Sequence, residues 1–270
     1  MTRRSFGLTL AAASVPAASG RLRIGCQMNA FKDPASAAEL ERLIERIRAA
    51  GYSGFETNVR NLRWDLEECR TAIRRGGITY IGPHTNMNLG VAGLREAAGR
   101  TAALGGERVV VSGSGGTKGA AGWKAKAALL NEVGEHCRAR GLVLIYHNHK
   151  WEFESNAAEM ESLIRDTKPG LVSFLMDAGH AYLAGVEPSQ FLGRHPSRID
   201  SIHLRSVDGA GKRLPLGQGA PDLKLLAAAI RRLQWSGWLI NEPELRTADT
   251  AAAEAQIHAE RRYLRKVFST

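Results

Sequence analysis

The chain has 270 residues, of which 44% are hydrophobic and 24% are charged, a balance typical of a globular protein with one large α/β domain or two small ones. Its formal net charge of +10 would suit a nucleic-acid partner, but the Lys and Arg residues are scattered among Asp and Glu instead of forming a basic block. This distribution argues against nucleic-acid binding, and three widely spaced cysteines argue against a disulfide framework or a zinc knuckle.

The first 20 residues form a candidate export signal. In MTRRSFGLTLAAASVPAASG, Arg3 and Arg4 precede Phe6 and a mildly apolar run that ends in small residues suited to cleavage. The stretch resembles a twin-arginine signal, so we expect residues 1–20 to be removed and residues 21–270 to work in the periplasm. A fortuitous arginine pair would leave the protein in the cytoplasm. The apolar run is shorter than the roughly 18 residues of a membrane span, so no span is predicted.

From Arg21 onward, short β-rich apolar runs alternate with longer stretches of helical period. The predicted strands are RLRIGCQ, YSGFETN, ITYIGPH, ERVVVSG, LVLIYHNH, LVSFLMD, IDSIHLR and GWLINEP. The first predicted helix carries Leu40, Leu43, Ile44 and Ile47 on one face. Eight such units without a linker predict a single-domain (β/α)8 TIM barrel. A doubly wound sheet is less favoured, because GSGGTKG after the fourth strand matches neither GxGxxG nor a Walker A loop.

The active site of a TIM barrel lies at the carboxyl ends of its strands, and the side chains predicted there are polar. They are Glu56, His84, His147, His149, Glu152, Asp177, His180, His203, Arg205, Glu242 and Glu244. Ionisable groups in buried strand ends destabilise the fold unless they are paired or metal-bound, and one shared ion would satisfy several together. Oxygen and nitrogen ligands without thiolate favour one divalent ion among Mn²⁺, Co²⁺, Zn²⁺, Fe²⁺ and Mg²⁺.

The motifs YHNHKWEF, MDAGHAYLAG, IHLRSVDG, LGQGAPDL and GWLINEPEL follow the order and spacing found in the xylose-isomerase-like barrel superfamily. The chain from Arg21 resembles its sugar phosphate isomerase/epimerase branch. The resemblance implies a single divalent ion at the ends of strands five to eight, with Asp177, His203 and Glu242 as ligands. At strand five, His147 stands where relatives carry glutamate and Glu152 comes later, so both remain candidate ligands.

The resemblance also implies an activity, because that family moves protons next to a carbonyl. We expect a sugar isomerase or epimerase that acts through an enediolate on a small sugar. Glu242 and Glu152 are the predicted acid and base, and His147 or His149 could replace one of them. The residues predicted to contact substrate are His149, His180, Arg205, His84, Glu56 and Trp151. The sequence leaves a homo-oligomer open.

Three alternatives to an isomerase remain open. The same enediolate can expel a leaving group, which would give a lyase, dehydratase or hydrolase acting on 3-keto sugars or keto glycosides. A non-catalytic sugar-binding barrel would suit Ser206, which replaces an acidic residue of the relatives, and the missing glutamate at position 147. An abasic-site endonuclease of this superfamily needs a three-metal cluster, and RSVDGAGKRLPLG offers only Asp208 for it.

Overall fold

The computed structural model describes residues 22–113, 119–243, 247 and 249–269. The predicted export signal and Glu244 lie outside these residues and stay predictions. Most of the glycine-rich loop GSGGTKG also lies outside them.

Eight parallel strands form a closed barrel. They are β1 (Arg23–Gln27), β2 (Gly54–Asn58), β3 (Thr79–Asn86), β4 (Arg108–Ser112), β5 (Val143–His147), β6 (Val172–Asp177), β7 (Ile199–Leu204) and β10 (Trp238–Asn241). Their order around the barrel is β1-β10-β7-β6-β5-β4-β3-β2. A separate antiparallel hairpin, β8 (Ser206–Val207) with β9 (Arg213–Leu214), follows β7. Each barrel strand coincides with a predicted strand, so the single-domain (β/α)8 prediction is confirmed.

Helices alternate with the strands. They are α1 (Ala37–Ala49), α2 (Leu66–Gly76), α3 (Gly90–Ala103), α4 (Gly119–Arg138), α5 (Lys150–Asp166), α6 (Ala178–Leu183), α7 (Pro188–Arg194), α8 (Leu223–Leu233) and α9 (Thr250–Phe268). Short 3₁₀ turns follow β1, β2 and β3. The helical geometry of α5 is interrupted at residues 154–157. Within the described ranges, no helix has both the length and the apolarity that a bilayer crossing requires.

Side-chain caps and apolar faces explain where the helices form. Six of the described helices begin after a residue whose side-chain oxygen accepts a hydrogen bond from a backbone N–H of the first turn, which satisfies a donor that has no partner inside the helix. The caps are Ser36 for α1, Asp65 for α2, Asp177 for α6, Glu187 for α7, Asp222 for α8 and Asp249 for α9. The predicted apolar face of α1 is buried against the barrel at Leu40, Leu43, Ile44 and Ile47.

Apolar side chains fill the interior of the barrel below its carboxyl end. One set consists of Ile81, Trp238 and Ile240, and a second of Val110, Ile145 and Leu175. Alternate residues of a strand share a face, so the residue two positions further along also points inward. The next inward residues are His147 on β5, Asp177 on β6 and Glu242 just beyond β10. The apolar interior therefore ends in a polar floor at the predicted active-site end.

Candidate metal centre

Three buried side chains converge at the carboxyl ends of β5, β6 and β7, and we call them the inner group. His147, Asp177 and His203 each offer one ligand atom, and these atoms lie within 4.8 Å of one another. His147 Nε2 is 3.7 Å from Asp177 Oδ2. Among the described residues, neither of these atoms has a hydrogen-bond partner, and His203 Nδ1 has none either. Buried polar atoms without partners are rare and call for a specific explanation.

The two oxygens of Asp177 face different neighbours. Oδ1 accepts a hydrogen bond of 2.9 Å from the backbone N–H of His180 and so caps α6. Oδ2 faces the Arg205 guanidinium at 2.8 Å. Arg205 fits there because residue 179 is glycine, and a Cβ at that position would lie 2.6 Å from Arg205 Cδ. Burial raises the pKa of Asp177, but Arg205 and His180 outweigh burial and hold this pKa well below its ordinary value.

His203 lies between two glutamates. Its Nε2 is 2.8 Å from Glu56 Oε2, and its Nδ1 is 3.3 Å from Glu242 Oε2. Burial lowers the pKa of His203, but the charges of Glu242 and Glu56 outweigh burial and raise this pKa to about 10. The ring is therefore charged at neutral pH when no ion is bound.

Glu56 is shared by two histidines. The same Oε2 that faces His203 lies 2.7 Å from His84 Nε2. Burial raises the pKa of Glu56, but His84 and His203 outweigh burial and hold this pKa well below its ordinary value. Glu56 is fully buried and His84 nearly so, which places this pair at the base of the polar floor.

Glu242 lies at the edge of the inner group and is paired with two arginines. Arg205 donates a hydrogen bond to its Oε2, and Arg213 Nη2 lies 3.6 Å from the same oxygen. Arg213 also donates a hydrogen bond of 2.9 Å to the Glu242 backbone carbonyl. Burial raises the pKa of Glu242, but Arg205 and His203 outweigh burial, so the pKa lies well below its ordinary value. Glu242 thus stays ionised beside the three converging ligands.

A cavity of about 720 Å³ opens above these residues. Its lining includes the predicted residues His84, His147, His149, Trp151, His180, Arg205 and Glu242. The His149 ring stacks on Trp151 with 4.4 Å between centroids, and it lies 5.3 Å from the His180 ring. Burial lowers the pKa of His149 to about 3 and that of His180 to about 4, so both rings are neutral at neutral pH.

Glu152 does not lie in the inner group, so its predicted role in binding the ion or moving a proton stays a prediction that its position does not support. Its Oε1 accepts a hydrogen bond of 2.6 Å from the Tyr146 hydroxyl, and its Oε2 accepts one of 2.7 Å from the His149 backbone N–H. Successive strand residues point to opposite faces, so Tyr146 lies outside the barrel where His147 lies inside. Glu152 packs with Tyr146 and caps the start of α5.

The Glu152 carboxylate belongs to a second buried polar set, which we call the outer group. It consists of Lys126, Tyr146, Glu152 and Glu159. Lys126 Nζ donates to Glu159 and, at 3.1 Å, to the Tyr146 hydroxyl. Burial raises the pKa of Glu152. The hydrogen bonds of the outer group are made within the fold, so it has no need of an ion.

Several polar residues at the cavity were absent from the sequence predictions. Gln27 ends β1, Asn58 ends β2 and Ser112 ends β4, and all three line the cavity together with Asn29 and Arg213. The rule that placed His147 and Asp177 at strand ends would have found the first three as well. Their neutral side chains gave no reason to suspect an ion site.

The donor set of the inner group fits a divalent ion. Bonds of about 2.1 Å in a tetrahedral site separate neighbouring ligand atoms by roughly 3.4 Å. Within the inner group, His147 Nε2 and Asp177 Oδ2 are 3.7 Å apart, and His203 Nδ1 is 3.3 Å from Oε2 of the adjacent Glu242. His147 Nδ1 is 3.1 Å from Ser112 Oγ, so donation to Ser112 leaves Nε2 bare for an ion. Two imidazole nitrogens with carboxylate oxygen suit Mn²⁺, Fe²⁺, Co²⁺ or Zn²⁺.

Comparison with known sequences finds one matching family model and several curated relatives. Residues 44–267 match the family model described as xylose isomerase-like TIM barrel. An inosose dehydratase from Lacticaseibacillus casei is 30% identical over 140 residues, which are 45% of this chain and 47% of that protein. An inosose dehydratase from Geobacillus kaustophilus is 28% identical over 155 residues, 51% of this chain and 49% of that protein. The chain spans about half the length of these curated relatives.

Solved structures of the same fold are more distant in sequence. A D-psicose 3-epimerase from Clostridium cellulolyticum H10, solved with D-tagatose, has a TM-score of 0.74 at 15% identity and covers 91% of this chain and 99% of its own. The IOLI protein with a binding zinc atom has a TM-score of 0.74 at 14% identity, with 92% and 98% covered. A sugar phosphate isomerase/epimerase from Parabacteroides distasonis reaches 0.74 at 17% identity, with 92% and 95% covered. Similarity at these identities shows the fold alone.

Proposed function

The chain belongs to the xylose isomerase-like TIM barrel family, and on that basis we propose that it is a divalent-metal-dependent enzyme acting on a keto sugar or keto cyclitol. The reaction we propose begins with removal of a proton from the carbon next to the carbonyl. One observation carries the proposal: buried ligand atoms of His147, Asp177 and His203, which form no hydrogen bonds among the described residues, converge at the floor of an open cavity. Such atoms are costly to bury unless they bind something.

The inner group would hold the ion. A divalent ion bound there supplies a Lewis acid for a carbonyl oxygen and for the negative charge that develops beside it. Ser112 fixes the His147 ring, and Arg205 and Arg213 keep Glu242 ionised at the edge of the group. These contacts hold the ligands in place before a substrate arrives, which lowers the cost of ordering them during the reaction.

His180 and His149 are the residues best placed to take the proton. Both rings line the cavity and are neutral at neutral pH, so each has a nitrogen able to accept. A pKa near 4 makes His180 a weak base, but its Nε2 lies 4.0 Å from Asp177 Oδ2, and this carboxylate stabilises the ring once it is charged. A positioned base contributes about 10²- to 10⁴-fold to the rate.

The geometry favours loss of water after enolisation. Epimerisation takes two groups on opposite faces of one carbon, and the sequence predicted Glu242 and Glu152 for these roles. Glu152 is bonded to Tyr146 outside the barrel, so Glu242 is the one carboxylate of that pair at the cavity. Elimination requires a base that returns the proton to the leaving hydroxyl, and a single imidazole can do both. The dehydratase relatives support this choice.

Isomerisation or epimerisation is the second candidate, and it is the outcome that the sequence predicted. It is supported by the presence of two neutral rings, His149 and His180, in the cavity lining, because one could remove the proton and the other return it. Both candidates share the first step, so one experiment tests that step and separates the outcomes.

The test is incubation of the metal-loaded protein with inosose and with keto sugars in D₂O, followed by NMR. We expect deuterium at the carbon next to the carbonyl, with loss of one water for a dehydratase and a rearranged sugar for an isomerase or epimerase. Binding of substrate and ion without deuterium incorporation in any compound would contradict proton transfer and support a non-catalytic barrel.

A pair of histidine variants makes this experiment specific. His180→Asn should slow deuterium incorporation by about 10²- to 10⁴-fold, because it removes the base. His195→Asn is the matched control, since His195 pairs with Glu161 at 3.0 Å and is not part of the cavity lining. Equal exchange rates in the two variants would remove His180 from the mechanism.

A further inference from the structure

Glu56 and two histidines form a second set of atoms at the cavity floor. Glu56, His84 and His203 each offer a ligand atom, and these atoms also lie within 4.8 Å of one another. The His84 and His203 rings are stacked with 5.2 Å between centroids and 29° between planes. His203 therefore belongs both to this set and to the inner group. The two sets could bind one ion between them or one ion each.

The distances separate hydrogen bonding from ion binding. Glu56 Oε2 is 2.7 Å from His84 Nε2 and 2.8 Å from His203 Nε2, which are hydrogen-bond lengths. Ligands of one ion would lie roughly 3.4 Å apart, and in the inner group His147 Nε2 and Asp177 Oδ2 are 3.7 Å apart. Ions in both sets would also require the His203 ring to bind through both nitrogens at once. Protons therefore account for the Glu56 contacts better than a second ion.

We propose that Glu56 is a positioning residue that holds a proton on His203 Nε2 and so presents His203 Nδ1 to a single ion. This inference rests on the proposed ion binding. A carboxylate that accepts a hydrogen bond from the far nitrogen of a metal-binding histidine fixes the ring and its tautomer. Nδ1 of His203 is buried, and among the described residues it has no hydrogen-bond partner, as this role requires.

The strand geometry explains why Glu56 can act on two rings. It follows Gly54 by two positions on β2, and Gly54 faces the barrel interior against Trp238. Glu56 is therefore directed inward beneath the cavity. Its other oxygen, Oε1, is buried and has no hydrogen-bond partner within the described residues. Because His84 lines the cavity, Glu56 also joins a cavity residue to an ion ligand.

The test compares ion affinity in the wild type, Glu56→Gln and Glu107→Gln. Loss of the carboxylate that holds a metal-binding histidine lowers metal affinity about 10- to 100-fold. Glu56→Gln should therefore lower the affinity for Zn²⁺ by that factor, as measured by competition with a chelator. The wild type and Glu56→Gln should both bind one ion per chain at saturation. Glu107→Gln is the control, because Glu107 pairs with Arg23 at 3.0 Å and is not part of the cavity lining.

Two results would overturn the inference. Wild-type affinity for Zn²⁺ in Glu56→Gln would show that His203 binds the ion without orientation by Glu56. Two ions bound per wild-type chain would show that Glu56 is itself a ligand. Failure of the wild type to bind any ion would instead remove the proposed function on which the inference depends.

A measurement on the unaltered protein covers the case in which Glu56→Gln does not fold. Histidine ¹⁵N NMR of the Zn²⁺-loaded wild type should show His203 protonated at Nε2 and metal-bound at Nδ1. Metal binding at Nε2 would contradict the assigned role of Glu56.

Discussion

The inner and outer groups lie on opposite faces of β5, and both bury charge. His147 and Tyr146 are neighbours in the sequence, yet one points into the barrel and the other away from it. In the outer group, Lys126 donates to Glu159, and Tyr146 donates to Glu152 at 2.6 Å. In the inner group, ligand atoms of all three residues lack hydrogen-bond partners within the described ranges. Burial of charge is therefore common to both, and satisfaction of hydrogen bonds separates them.

This difference indicates what each group does. A polar network whose hydrogen bonds are all made stabilises the fold. Removal of one member destabilises it, because the remaining buried charges lose their partner. Buried ligand atoms that form no hydrogen bonds call for an explanation, and the proposed ion supplies one. Changes in the outer group should therefore act on stability, and changes in the inner group on ion binding.

The largest expected effect comes from removing the cation of the outer group. Lys126→Met leaves Glu159 and Glu152 buried without that cation, and it should lower the free energy of unfolding by about 3–5 kcal/mol. Urea unfolding of the ion-free protein measures this change. The control is Lys124→Met, an exposed position on the same helix where a change within about 0.5 kcal/mol is expected. Equal losses in both variants would mean that the outer group contributes nothing special to stability.

The next effect is loss of ion affinity from the inner group. Asp177→Asn should weaken ion binding by more than about 100-fold, because a direct ligand matters more than an outer partner. Asparagine keeps an oxygen for the His180 N–H that caps α6, and Arg205 keeps Glu242 as a partner, so the loss of stability should be smaller than in Lys126→Met. Glu159→Gln should show the opposite pattern, with reduced stability and unchanged ion affinity. Metal titration measures ion affinity in both variants, and urea unfolding measures their stability. If both variants lost ion affinity and stability to the same degree, the inner and outer groups would not differ in role.

The pH dependence should differ between the ion-free and the ion-loaded protein because of His203. Its pKa is raised from an ordinary value of 6.5 to about 10, so its contribution to stability is complete below pH 6.5 and is lost as the pH rises through 10. Burial lowers the pKa of His147 to about 4, so that ring stays neutral throughout. An ion must displace the His203 proton, so ion affinity should rise over the same window.

Two measurements check these opposite trends. Urea unfolding of the ion-free protein should show falling stability between pH 7 and pH 10, and calorimetry in buffers of different ionisation enthalpy should show about one proton released per ion. Ion binding without proton release near pH 8 would contradict the charged His203 of the ion-free protein.

The smallest expected effect concerns the rim of the cavity. Trp151 is 39% exposed and stacks on His149, so Trp151→Ala should raise the KM for a sugar about 2- to 10-fold and leave ion affinity unchanged. Tyr182→Ala is the control, because Tyr182 is 42% exposed and is not part of the cavity lining. An unchanged KM in Trp151→Ala would mean that the sugar does not contact this ring.

The barrel and most of the site could be predicted because they follow from local rules. Strand periodicity located all eight barrel strands, and alternation within a strand brought His147, Asp177 and His203 to the interior. Glu152 escaped these rules because it lies past the end of β5, where alternation no longer applies. Its spacing of three residues from His149 is that of a helix-capping glutamate, and this signal would have placed it correctly.

Other features could not be predicted from the sequence. Lys126 is buried by the packing of α4 against α5, and within a helix its sequence environment is that of a surface lysine. The contacts of Glu56 with His84 and His203 depend on closure of the barrel, which joins residues that are 28 and 147 positions apart. Polar contacts across such separations follow from the fold and not from any local pattern.

The most direct test of the metal centre is titration of the ion-free wild type and Asp177→Asn with Zn²⁺ and Mn²⁺, with metal content determined by mass spectrometry. We predict one tightly bound ion per wild-type chain and loss of tight binding in the variant. A folded wild type that binds no ion, or a variant that keeps its ion at wild-type affinity, would contradict the assignment of His147, Asp177 and His203 as the ion-binding group.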